Sequence, residues 1–136
     1  MAESRTAEFI DAHGIAIVYD VHPAASGVTP RGVVQLLHGV GEHAGRYGAV
    51  IAELTAAGFT VYADDHRGHG RTGMKQHGDA AKLGRLGPGG MRAVVADEWQ
   101  LTELIRAENP GLPLVLLGHS WGSFLAQMVL NAHPDA

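Results

Sequence analysis

Short apolar runs alternate along this chain with stretches whose apolar residues recur every three or four positions. Glu8 to Asp11 reads as a short strand, His13-Gly14 as a turn, and Ile15 to Val21 as a second strand rich in β-branched residues and tyrosine. The pair predicts an antiparallel hairpin. After a polar loop from Pro23 to Pro30 comes Val33-Val34-Gln35-Leu36-Leu37, a mostly apolar run that suits a strand buried on both faces, as in a parallel sheet. Tyr47, Val50, Ile51 and Leu54 share one face of a helix, with Gly58 where its C-terminal cap belongs. Phe59 to Ala63 predicts another buried strand, and Asp64 to Gly90 a long loop rich in glycine and histidine. Met91, Val94, Val95, Leu101 and Ile105 predict a second amphipathic helix ending near Asn109-Pro110. Leu114 to Leu117 predicts a third buried strand, and Phe124, Leu125, Met128, Val129 and Leu130 a third helix ending near His133-Pro134. A hairpin followed by βαβαβα predicts an α/β domain with parallel strands, right-handed crossovers and helices on both faces.

Composition narrows the chemistry. The chain has 136 residues, material for one domain, and 46% apolar against 18% charged residues places it among globular chains. A net charge of −4 gives no electrostatic reason to expect nucleic acid or an acidic membrane surface as partner. The absence of cysteine excludes a disulfide framework and a thiolate nucleophile, and fits a reducing cytoplasm, the expected location. Neither a signal peptide nor a membrane span is expected. Met1 to Asp11 carries Glu3, Arg5 and Glu8 with no long apolar run, and no stretch approaches about 18 apolar residues.

The main motif is Gly118-His119-Ser120-Trp121-Gly122, which matches G-x-S-x-G. The pattern is short, and its context gives it weight: a strand precedes it at once and a helix follows at once. That is the arrangement of a nucleophile elbow, in which a sharp strand-to-helix turn raises the serine above the sheet near a helix N-terminus. Ser120 is the candidate nucleophile, with Gly118 and Gly122 allowing the close approach. His38-Gly39-Val40-Gly41-Glu42-His43, directly after a buried strand, is the candidate oxyanion loop. An acyl-transfer enzyme needs two backbone N–H groups for its oxyanion, one from the residue after the serine and one from such a loop. Trp121 and Val40 hold those positions. The side chains of His38 and His43 are read as packing within the loop, and two roles stay open for the Trp121 side chain, wall of an acyl pocket or packing.

His38-Gly-x-Gly-Glu-His43 with Gly45-Arg46-Tyr47, then Asp65-His-x-Gly-His-Gly70, then Gly118-His-Ser-x-Gly122 resembles the monoacylglycerol lipase and lysophospholipase group of α/β-hydrolases, of the serine aminopeptidase S33 type. The resemblance runs from about Ile15 to the end of the chain. It implies an α/β-hydrolase fold, carboxylic-ester hydrolysis through an acyl-serine intermediate, a small lipid-like ester as substrate, and no metal or organic cofactor. Thr72 departs from it, standing where the group more often has serine, and little is expected from the change. Ser120-Trp-Gly-Ser123 also occurs in the related proline iminopeptidases, but those carry a His-Gly-Gly-Pro-Gly loop, so ester cleavage is favoured over peptide cleavage.

Two other signals are set aside. Gly68-His-Gly70-Arg-Thr-Gly73 fits the G-x-G-x-x-G of dinucleotide-binding domains. That fingerprint must open a helix, whereas Met74 to Gly90 shows no helical period, no acidic residue ends a following strand, and the first βα unit carries His38-Gly39 instead. Nine histidines, above all His66-x-x-His69 beside Asp64 and Asp65, invite a metal reading, but none forms H-E-x-x-H or another established zinc spacing. A hydrogen-bonded polar loop is preferred.

The catalytic base is the open question. Only 16 residues follow Ser120, and His133 and Asp135 among them lie at the far end of the elbow helix. At about 1.5 Å of rise per residue, His133 falls on the order of 20 Å from Ser120. His119, beside the serine on the elbow, turns its side chain away. Residues 1–136 are therefore expected to be the N-terminal part of a single α/β-hydrolase domain, with the acid, the histidine, a cap and the C-terminal strands elsewhere. The strand Leu114 to Leu117 would then be an open apolar edge, to be covered by a complementing C-terminal segment or chain or by self-association. A non-catalytic binding or assembly half is the rival reading.

Overall fold

A computed structural model describes residues 3–136. Strands β1 (Arg5–Ile10) and β2 (Ala16–His22) form the antiparallel hairpin, joined through a turn in which Asp11 Oδ1 accepts from the amides of His13 and Ile15. Then follow β3 (Gly32–Leu37), a 3-10 turn at Ala44–Tyr47, α1 (Gly48–Ala56), β4 (Phe59–Asp64), α2 (Gly70–His77), a short 3-10 turn at Ala80–Lys82, α3 (Gly90–Glu108), β5 (Leu114–Gly118) and α4 (Trp121–Ala132). The sheet order is β1-β2-β4-β3-β5; β3 runs parallel to both β4 and β5, and β2 joins β4 antiparallel, so the sheet is mixed.

The continuous apolar run of β3 is sorted by strand period into two cores. Val34 and Leu36 pack with Ile51 of α1, whereas Val33 lies with Leu101 and Ile105, and Leu37 with Val94, Leu125 and Val129. Every residue of β3 is buried, as a strand covered on both faces requires. Gly58 follows α1 at φ +101, where a side chain would meet the Thr29 carbonyl at 2.7 Å, so only glycine closes that helix. β5 is the sheet edge, and Val115 and Leu117 on it stand 49% and 38% exposed. The apolar faces predicted for α1 and α4 are narrower than expected: Val50, Phe124 and Leu130 are exposed.

The expected loop from Asp64 to Gly90 contains a helix that the sequence pattern did not predict. Two glycines in eight residues give α2 weak intrinsic propensity, and tertiary contacts stabilise it instead. Thr72, fully buried, accepts a hydrogen bond from the Val18 amide of β2 at 2.9 Å, a bond a serine hydroxyl could equally accept. Arg71 bridges Asp65 and Asp20, and Gly73 packs on the Gly68 backbone where a Cβ would fall at 2.6 Å.

The same segment is pinned from below by the wholly buried Arg67, which pairs with Asp11 of the hairpin turn and Asp97 of α3 and donates to the Pro88 carbonyl. Burial, and then a hydrogen bond to Asp11, push the Asp97 carboxyl up to about 8. The folded chain thus keeps a proton that an unfolded aspartate releases near pH ~4. Stability from this group is present below that pH and is lost as pH rises toward about 8. Urea midpoints measured across that window should fall with rising pH, and Asp97→Asn should flatten the decline.

Candidate active site

Parallel pairing puts the carboxyl ends of β3, β4 and β5 at one end of the sheet, the end where open α/β sheets bind ligands. The register sets Leu37 beside Gly118 and Leu36 beside Ala63, so the loops at 38–43, 65–70 and 118–121 meet there. All three motif segments of the sequence are brought together.

Ser120 lies on the turn from β5 to α4 with φ 55 and ψ −119, and is the one non-glycine residue with positive φ among the described residues. Such a conformation costs about 1–3 kcal/mol and persists only where surrounding packing enforces it. That packing is visible. A Cβ on Gly118 would lie 2.3 Å from the Gly122 carbonyl oxygen, and one on Gly122 would lie 2.0 Å from the Leu37 carbonyl oxygen. Ser120 occupies the helix N-cap position, where a serine ordinarily bonds the first-turn amides, yet its side chain makes no cap bond and the residue is exposed.

The 38–43 loop packs directly on the elbow. The His119 amide donates to the Leu37 carbonyl at 3.2 Å, and a Cβ on Gly39 would lie 3.4 Å from Ser120 Cβ. Val40 is 68% exposed at the tip, and Val40 and Trp121 border the same cleft of about 430 Å³. Glu42 fixes the turn: its Oε1 accepts from the Gly39 amide at 2.8 Å and from the Tyr47 hydroxyl at 2.6 Å. Those two bonds hold its carboxyl down at about 2. His119 Nδ1 lies 3.4 Å from both Glu42 Oε1 and the Tyr47 hydroxyl. His43 is exposed and caps the 3-10 turn through Gly45, while His133 stacks on Trp99 with ring centroids 3.7 Å apart.

Beneath the loop lies a buried polar cluster. His38 Nε2 accepts from the His66 amide at 3.0 Å, so the proton of its neutral ring sits on Nδ1, which donates to the Gly39 carbonyl at 2.8 Å. Burial first, then the neighbouring charged His66, push His38 down to about 4 and keep it neutral. His66 donates from Nε2 to the His38 carbonyl and from Nδ1 toward Asp64 Oδ2 and Glu98 Oε1, 2.9 and 2.8 Å away. Burial alone would discharge it, but the two carboxylates outweigh that and raise it well above the ordinary histidine value. Asp64, His66 and Glu98 are the one such group among the described residues whose ligand atoms converge as a metal site would need. Its 2.8 and 2.9 Å separations are hydrogen-bond lengths, with a proton shared between the carboxylates. Gln35 of β3 donates to both Glu98 Oε2 and the Glu98 carbonyl, and Thr102 donates to Gln35.

Sequence reasoning missed Glu42, Tyr47, Gln35 and Glu98 as supporting residues. Glu98 carried a signal, since it falls four residues after Val94 and three before Leu101, on the apolar stripe of α3, where an acid must be paired. The Gly68–Gly73 pattern does open a helix, contrary to expectation. Its glycines are nonetheless filled by the chain itself: Cβ atoms at Gly68 and Gly70 would meet Arg85 backbone at 2.6 Å and Asp65 at 2.5 Å, leaving no phosphate cradle.

Residues 28–136 match the family model described as serine aminopeptidase, S33. The chain is 43% identical to a monoacylglycerol lipase of Mycolicibacterium smegmatis over 114 residues, 84% of this chain and 37% of that one. It is 33% identical to the monoglyceride lipase of Homo sapiens over 106 residues, 78% of this chain and 32% of that one. A thermostable carboxyl esterase from Bacillus coagulans, solved with glycerol, superimposes with TM-score 0.85 at 32% identity, over 99% of this chain and 42% of that chain. A lipase in an open form superimposes with TM-score 0.82 at 39% identity, over 93% of this chain and 39% of that chain. The chain thus spans roughly a third to two fifths of these relatives. Among the described residues no helix is long and apolar enough to cross a membrane. By sequence and by fold, the chain belongs to the serine aminopeptidase S33 family of α/β-hydrolases.

Proposed function

We propose that this chain supplies the nucleophile and oxyanion-holding backbone of a serine ester hydrolase acting on monoacylglycerol- or lysophospholipid-type lipid esters. The observation that carries the reading is Ser120, held at φ 55 with an uncommitted side chain against the Gly39 turn. In this reading Ser120 Oγ attacks the acyl carbon, and the amides of Val40 and Trp121 stabilise the oxyanion. A hydroxyl needs a base to take its proton, and no side chain among the described residues hydrogen-bonds Ser120 Oγ. The base and its orienting acid come from a C-terminal segment that also covers the apolar edge of β5. Residues 1–136 act as the N-terminal part of one domain, in a cytoplasmic setting. The His-Gly-Val-Gly-Glu-His loop and the lipase names of the relatives favour esters over the peptides that the family's name suggests.

Intact mass after exposure to a fluorophosphonate probe tests this, because such probes need an activated serine. The chain alone is expected to stay unlabelled. Supplied with the C-terminal segment of the Mycolicibacterium smegmatis relative, it should gain one probe on Ser120, and Ser120→Ala should gain none. Labelling elsewhere, or none in the complemented and folded pair, overturns the reading. Labelling of the chain alone overturns the assignment of the base to another segment.

A further inference from the structure

The cleft bordered by Val40 and Trp121 is lined mainly by apolar side chains, including Leu83, Leu86 and Met91, and one buried polar ring, His69, joins its wall. His69 is 5% exposed. Its Nδ1 lies 2.8 Å from the Arg67 carbonyl oxygen, which can only accept, so the ring proton sits on Nδ1. Nε2 is therefore a lone-pair acceptor, and among the described residues it has no partner. A buried acceptor left unpaired costs about 1–3 kcal/mol, which a ligand donor can recover.

We propose that His69 Nε2 is the polar anchor of a substrate subsite in this cleft, accepting a hydrogen bond from a hydroxyl on an otherwise apolar part of the ester. The inference rests on the ester-hydrolase reading for the identity of the ligand. Its chemistry follows from the wall. A cationic donor would need a free carboxylate, and the one carboxylate lining the cleft, Glu42, is spent on Gly39 and Tyr47. Burial, joined by the charge of His66 and only partly offset by the Arg67 carbonyl and the Asp65 and Asp64 carboxylates, lowers the proton affinity of His69 and favours the acceptor form. The ring lies under Trp121, centroids 5.3 Å apart, and the Trp121 Nε1–H is directed to Met91 Sδ at 3.3 Å. A thioether is a weak acceptor on a flexible side chain, so this cover is readily displaced on ligand entry.

The test is a binding measurement on the chain with ¹⁵N-labelled histidine, using three probes that require no turnover. Hexylglycerol ether places hydroxyls on the alcohol portion, the methyl ester of ω-hydroxyhexanoic acid places one on the acyl portion, and hexyl methyl ether has no donor. At least one hydroxyl probe should shift the His69 Nε2 resonance and bind about tenfold more tightly than the donor-free ether. Which probe does so assigns the subsite to the alcohol or the acyl side. His69→Phe should erase that advantage and leave the ether's affinity unchanged. Equal affinities with an unmoved Nε2 resonance in the native chain overturn the proposal, whether or not the variant folds. A Ser120 reactive in the complemented pair with an unmoved His69 rejects the subsite alone, and a shifted His69 with Ser120 inert in the complemented, folded pair rejects the hydrolase reading alone.

Discussion

Gly122→Ala is expected to destabilise the fold by more than about 4 kcal/mol, read as a collapse of the urea midpoint or as failure to accumulate folded chain. The new methyl would sit 2.0 Å from the Leu37 carbonyl oxygen and 2.7 Å from that of His38, both backbone atoms with no rotamer to give way. Relief requires the start of α4 to part from the end of β3, against the packing of Leu125 and Val129 on Leu37. A typical domain has only about 5–15 kcal/mol of stability to lose. Parting these elements also draws the Gly39 turn off Ser120, so any residual folded fraction should lose probe reactivity in the complemented pair. Gly48→Ala is the control: nothing lies within 4 Å of its Cβ position at the start of α1. It should be neutral or stabilising by about 0.4–1 kcal/mol.

Glu98→Ala is expected to cost about 3–5 kcal/mol in the same assay, the usual effect of removing one partner from a buried ion pair. The loss leaves the buried His66 imidazolium facing Asp64 alone and strips Gln35 of its carboxylate acceptor. Asp64 already carries one buried oxygen without a partner and is pushed up to about 7, first by burial and then by the Glu98 charge. Without Glu98 it is the single countercharge of His66, still raised by its burial, and the pair loses the second acceptor of the His66 Nδ1–H. Because His66 holds the His38 carbonyl and His38 holds that of Gly39, the disturbance reaches the candidate oxyanion loop. Replacing the three charged groups together by apolar residues of similar volume should cost less than removing Glu98 alone, since no buried ion is left to be kept from water with incomplete hydrogen bonding. A triple variant no more stable than Glu98→Ala would show that the cluster acts by shape rather than by charge.

Much of the site was legible because its signals are local. The G-x-S-x-G at 118–122 and the His-Gly-x-Gly at 38–41 each sit at a strand end that periodicity alone locates. Gly118 is dictated by a contact four residues away, with the Gly122 carbonyl, whereas Gly122 is dictated by the Leu37 and His38 carbonyls at the end of β3. By contrast, α2 was hidden because its stability resides in Val18, Asp20 and Leu83, residues distant in sequence. The Arg67–Asp11–Asp97 and His66–Glu98 pairings were hidden for the same reason: charges 30 to 56 positions apart carry no mutual pattern.

Legible in the chain without its fold were the order of the strands and of every helix but α2, the hairpin, the buried character of β3, and the candidate nucleophile with its oxyanion loop. Alternation and turn chemistry are short-range properties, so one chain read end to end contains them. Long-range packing set the rest: that β3 lies between β4 and β5, that Glu42 and Tyr47 brace the Gly39 turn, and that His69 lines the cleft and carries an unpaired buried nitrogen. Those outcomes depend on which strand pairs with which and in what register. Long-range packing settles pairing and register, and it leaves no periodic mark on the residues it joins.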